Sequence, residues 1–199
     1  MTAANLRALQ KIGLIFLCVS MLFVLETHAV AAPLYTELTR LHVIANSDTQ
    51  EDQQLKLKVR DGILAVTERL TKDAADALAA REVRASHLET IRCTAQDIVY
   101  QNGYTYPVMV SLEDNVWFDH RDYDTFSLPA GKYTALRVKI GAAQGQNWWC
   151  VIFPPLCTAA CMAEQAEAAG LGSYQIGLIA GDNVELRFWI LDLLGKWGK

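Results

Sequence analysis

Three groups of side chains in this sequence have the chemistry to form a site. The first is His42 with the turn that follows it, Asn46-Ser47-Asp48. A histidine there can serve as a general base or a metal ligand. No second histidine or cysteine sits at ligand spacing nearby, so His42 reads as a hydrogen-bonded structural residue that locks a strand to its turn, with Asn46 and Asp48. The second group is acidic: Asp114, Asp119, Asp122 and Asp124. Their D-x-x-D-x-D pattern lacks the glycine and the closing glutamate of a calcium loop and reads as a solvated strand-turn segment. The third group is Cys93, Cys150, Cys157 and Cys161. Cys93 falls off its helical core stripe and reads as a lone thiol. Cys157 and Cys161 share an i, i+4 spacing, but nothing completes a zinc site. Cys150 and Cys157 either bridge in an oxidising compartment or stay as two buried thiols; four cysteines allow three pairings. There is no nucleophile elbow, phosphate loop, dinucleotide fingerprint or zinc motif. No catalytic set, metal or cofactor is expected.

The elements that position these groups come from periodicity. Arg40 to Ala45 alternates like a strand, with Leu41, Val43 and Ala45 on one face and Arg40, His42 and Ile44 on the other. Ser47 or Asp48 is expected to cap the next helix, with Gln50 or Glu51 closing a capping box. Leu55, Val59, Gly62, Ile63, Val66 and Leu70 form its core stripe. Leu57 and Leu64 lie off that stripe, with Arg60 and Asp61 between them. They either pack against another segment of the chain or form an apolar strip, edged by charge, for a partner. A short alanine-rich helix is expected from Thr71–Asp73 to Arg81. A second capping box, Ser86 to Glu89, opens a helix closed by Asn102-Gly103. Pro107 to Leu112 reads as a strand. Tyr133–Ile140 and Trp148–Phe153 read as a hairpin across a polar connector. Trp148 and Trp149 are adjacent, so one should enter the core and the other the open face, against Arg137. A helix is expected over Ala159–Ala169, while Val184–Leu194 starts with the alternation of a strand and runs on long and unbroken like a buried helix, so it reads as a helix with a strand as the alternative. The order of elements gives an α+β fold: a two-layer sandwich, mostly antiparallel sheet with helices packed on one face.

Composition limits the function classes. The net charge of −4 argues against nucleic acid as the main partner. Arg7 and Lys11 precede a charge-free run of 14 residues, Ile12 to Leu25, and Ala29-Val30-Ala31 is a small-x-small site. Residues 1–31 therefore read as a secretory signal peptide; the alternative is an uncleaved anchor, against which the length argues, since a spanning helix needs about 20 apolar residues. Residues 32–199 form one domain, and membrane contact is expected only through the leader.

Three stretches carry a resemblance. They are L-H-V-I-A-N-S-D-x-x-E-D-Q-x-L-K-L-K-V-R-D at Leu41 to Asp61, L-P-A-G-K-Y-T-A-L-R at Leu128 to Arg137, and N-W-W-C-V-I-F-P-P-L-C at Asn147 to Cys157. In this order the chain resembles the stage II sporulation protein R family. The stretch F-D-H-R-D-Y-D-T-F, from Phe118, is more acidic than that family leads one to expect. The resemblance implies a protein without chemistry of its own, secreted across the forespore membrane into the intermembrane space. There it would activate a membrane-embedded aspartic protease, which then processes the sigma-E precursor. Leu57, Arg60, Leu64, Arg137, Trp148 and Trp149 are the candidate contacts. The competing readings are an exported cell-wall hydrolase using His42, Cys150 and the aspartates, and a carrier of a small ligand on the sheet's open face.

Overall fold

The computed structural model describes residues 10–22, 34–123, 126–156, 166–167 and 170–180. In chain order the elements are β1 (Thr39–Ile44), α1 (Gln50–Thr71), α2 (Ala77–Ser86), α3 (Leu88–Gln101), β2 (Val108–Phe118), β3 (Arg121–Asp122), β4 (Ser127–Leu128), β5 (Gly131–Ile140), β6 (Asn147–Phe153) and α4 (Ser173–Ala180). Residues 10–22 are helical, and Ile12, Phe16 and Leu22 on that helix are exposed. No helix among the described residues is long and apolar enough to cross a membrane. The small-x-small site at Ala29–Ala31, Cys157, Cys161 and the segment Val184–Leu194 lie outside the described residues.

Four strands form one mixed sheet in the order β2-β5-β1-β6. β1 runs parallel to β5 and antiparallel to β6, and β2 is antiparallel to β5. The expected hairpin of β5 and β6 is therefore not formed, because β1 lies between them. The connector 141–146 crosses two strand spacings, about 10 Å, over the end of β1. A local hairpin signal cannot reveal this. β1 comes from about a hundred residues earlier, and its alternation gives each flanking strand an apolar neighbour.

On one face Leu41, Val43, Leu136, Val138, Cys150 and Ile152 pack against Leu55, Val59, Ile63 and Val66 of α1 and Ile91, Ala95 and Val99 of α3. The α1 stripe expected from the 3.6-residue period is the one buried. The opposite face is not simply open. Tyr133, Ala135, Val151 and Phe153, by strand alternation the other-face residues, join Leu34, Leu38, Phe118, Leu128, Leu156 and Ile179 in a second core. The fold is α+β with two of the main sheet's three strand pairings antiparallel, and apolar cover extends onto both faces of that sheet.

The helix ends differ from expectation in ways that follow from competing hydrogen bonds. The cap of α1 is Thr49, whose Oγ1 accepts from the Asp52 backbone N–H at 3.3 Å. Ser47 and Asp48 are engaged elsewhere. The first helix continues to Thr71, so the alanine-rich helix starts only at Ala77, where Asp76 accepts from the Ala79 N–H at 2.8 Å. Ser86 donates to the Val83 carbonyl at 2.9 Å. Its hydroxyl thus closes α2 rather than opening α3, whose N-cap His87 makes no side-chain capping bond. β2 extends to Phe118 through a bulge between Glu113 and Val116, with Asn115 at φ 58°. The bulge re-aims the strand and brings Phe118 into the second core, so the acidic segment carries a buried aromatic that its composition conceals.

Candidate functional site

The turn after β1 and the connector after β5 form one unit. Asn46 Oδ1 accepts the Ala142 N–H at 2.9 Å, and Asp48 Oδ1 accepts the Gln146 N–H at 2.6 Å. The Asn46 and Ala45 carbonyls accept the Gln144 and Gly145 N–H groups. Asp52 anchors the turn from below, accepting from Asn46 Nδ2 at 2.8 Å and Ser47 Oγ at 2.6 Å. Burial alone would raise the Asp52 pKa, but these hydrogen bonds outweigh it and hold the carboxyl below its usual 3.8. Lys56, almost fully buried, reaches from α1 to the Gln146 carbonyl at 3.1 Å. Asn46 and Asp48 thus fix the loop that leads into Trp148 and Trp149.

On the face away from α1, one row crosses all four strands: Ser111, Arg137, His42 and Trp149 are register neighbours in turn. His42 stacks on Trp149 with ring centroids 3.9 Å apart and planes 16° from parallel. Phe118 stands edge-on to Trp149 at 4.9 Å. Arg137 pairs with Glu113 at 3.1 Å. The hydrogen bonds expected of His42 are not formed; its ring is stacked instead, and among the described residues neither ring nitrogen has a hydrogen bond of good geometry. Burial is the main cause that holds its pKa below 6.5; the approach of the Asn147 side chain opposes the shift and Arg137 adds to it. The imidazole is therefore neutral at neutral pH.

On the helix side, Trp148 does not enter the core. It is 37% exposed and lies under the Arg60 guanidinium, 4.3 Å from ring centroid to Cζ. Arg60 also pairs with Asp61 at 2.6 Å. Leu57 and Leu64 are half-buried, and Leu64 packs against the helix-side core. The six candidate contacts are therefore split. Arg60 and Trp148 meet on one face, with Leu57 and Leu64 further round α1. Arg137 and Trp149 lie on the opposite face, joined through His42.

Cys150 pairs in register with Leu41 and is buried toward the helices, whereas His42 points to the opposite face. The sheet lies between them, so they form no catalytic dyad. The bridge expected between Cys150 and Cys157 involves a residue outside the described ones. Among the described residues no group of three or more His, Cys, Asp or Glu side chains could hold a metal ion. Sequence reasoning missed Arg40 and Phe118. Arg40 is 1% exposed, and its Cζ lies 4.3 Å from the Phe118 ring centroid. The available signal was an arginine on the polar side of a central strand together with an aromatic-rich segment.

Comparison with known proteins gives the same direction as the three sequence stretches. The family model described as stage II sporulation protein R matches residues 35–163. A relative from Bacillus subtilis (strain 168), named Stage II sporulation protein R, is 37% identical over 118 residues, which are 59% of this chain and 52% of the relative. The chain thus matches about half the length of that relative. No solved structure matches. With every strand of the main sheet and the three helices α1 to α3 inside the matched span, the chain belongs to the stage II sporulation protein R family.

Proposed function

We propose that this chain is a secreted signalling protein of endospore formation. It is exported across the forespore membrane into the intermembrane space. There it activates a membrane-embedded aspartic protease by binding it, and the protease then processes the sigma-E precursor. The observation that carries this reading is the family match over residues 35–163. Geometry supports a binding role over a hydrolytic one: the candidate nucleophile Cys150 and the candidate base His42 face opposite sides of the sheet. The docking surface is the edge where Arg60 covers Trp148, extended round α1 to Leu57, three residues before Arg60. An aromatic clamped by an arginine, half in solvent, is the kind of residue pair that concentrates binding energy at an interface. Co-expression of the full chain with the candidate protease and the sigma-E precursor tests the role. Processing that depends on the chain is expected; processing at the same level without it would remove the proposal.

A further inference from the structure

The second face holds a cavity of about 130 Å³ whose walls include Arg40, Trp117, Phe118, Asp119, Arg121 and Trp149. Arg40 is the unusual member. It is 1% exposed, and its guanidinium is held against two rings, 4.3 Å from the Phe118 centroid and 5.1 Å from that of Tyr133. Its Nη2 donates to the Tyr123 hydroxyl at 2.8 Å. Its Nε and Nη1 are buried and have no hydrogen-bond partner among the described residues. A buried guanidinium left with unmet donors is costly unless an anion completes it. The charge, always present on arginine, is already desolvated, so an anion in the cavity interacts with it through a low-dielectric wall, although Nε and Nη1 themselves expose almost no surface.

We infer that this cavity binds a carboxylate presented by a protein partner, with the Arg40 guanidinium as its counter-charge. The walls decide the class of anion. Trp149, Phe118 and Trp117 suit the apolar stem of a glutamate or aspartate side chain, or the last residue of a chain. Asp119 and Arg121 are both exposed at the cavity wall, beside His120, and their charges oppose one another, so it is the apolar wall that favours a carboxylate on an apolar stem over a phosphate. The volume is enough for one carboxylated side chain.

The inference goes beyond the proposed signalling role, and its test does not involve the protease. The full chain is titrated with the α-amide of N-acetylglutamate, with the glutamine analogue, and with inorganic phosphate. The indole N–H signals of Trp117 and Trp149 are followed by NMR. Trp117 Nε1 donates to Asp119 Oδ1 at 3.0 Å, so its signal reports directly on the cavity wall. The expected result is a saturable shift of both indoles, with the carboxylate bound at least about tenfold more tightly than its amide isostere. Arg40→Gln should abolish the shift. Because Arg40 is buried and its variant can unfold, Asp119→Asn is the companion: it removes the like charge at an exposed position and should tighten carboxylate binding about two- to fivefold. Equal response to carboxylate and amide, tighter binding of phosphate, or an unchanged affinity in Asp119→Asn would overturn the inference.

Discussion

Asn46 Oδ1 and the Ala142 backbone N–H, 96 positions apart in the chain, are joined by a hydrogen bond of 2.9 Å. This bond holds the connector where it must cross the end of β1. It links the turn after β1 to the strand that carries Trp148 and Trp149, and so connects the first sequence stretch of the family resemblance to the last.

Asn46→Ala removes that acceptor and the donor to Asp52. The expected loss is about 1–3 kcal/mol, read as a lower urea midpoint with an unchanged slope. Asn46→Asp should cost more at neutral pH, because it sets a second carboxylate against Asp52, and the gap between the two variants should narrow as the solution is acidified. Equal stability of wild type and Asn46→Ala would show that the crossing does not depend on this residue.

Gly145 tests the same crossing by shape. A Cβ at this position would run into the backbone carbonyl of Ser47, and backbone has no rotamer through which to yield. Gly145→Ala should therefore destabilise by more than about 1 kcal/mol. At Gly103, where φ is +83° and the space is open, Gly103→Ala should show only the cost of the left-handed conformation, of the order of 1 kcal/mol. Thermal melts of the two variants side by side give the comparison.

His42 predicts an acid-labile window. Its pKa in the folded chain is lowered from 6.5, chiefly by burial. Below 6.5 the unfolded chain takes up a proton that the folded chain does not. Stability should therefore fall as pH drops from about 6.5 toward the lower folded value. His42→Phe, which keeps a ring on Trp149, should flatten this part of the profile. Urea unfolding at a series of pH values measures it, and an unchanged slope in His42→Phe contradicts the assignment. Asp52, held below 3.8 by hydrogen bonds, begins to lose its contribution only at lower pH than the 6.5 at which the His42 window opens.

Much of this architecture was legible because it is local. The alternation Leu41, Val43, Ala45 and the stripe Leu55, Val59, Ile63, Val66 each specify an element and its buried face. The cap of α1 was misplaced by one or two residues. Ser47 and Asp48 have the right side chains for capping, but Asp52 and the Gln146 N–H claim them, leaving Thr49 to the helix. The pairing of β1 with both β5 and β6 was not legible, since nothing in residues 133–153 signals a third strand between them. The buried Arg40 and its aromatic surroundings were hidden for the same reason. They come together only once β1, the bulged end of β2 and β6 are placed side by side.

The contact of Arg60 with Trp148 should register as a small energetic coupling. A double-mutant cycle with Arg60→Met and Trp148→Leu is expected to give about 0.5–1 kcal/mol, the range for a partly exposed cation–π pair. A coupling indistinguishable from zero would mean that the two side chains are neighbours without being partners, and the docking edge would lose its preorganised aromatic.

The most direct test of the signalling reading is the fraction of sigma-E precursor processed when the full chain, the membrane-embedded protease and the precursor are co-expressed. Wild type is compared with Trp148→Asp and Leu57→Asp, with melting temperatures measured in parallel. Wild type should drive processing, and both variants should lose activation about tenfold or more while melting within a few degrees of wild type. Full processing by both variants at equal abundance, or processing that proceeds without the chain, would contradict a protein ligand that triggers the protease through this edge.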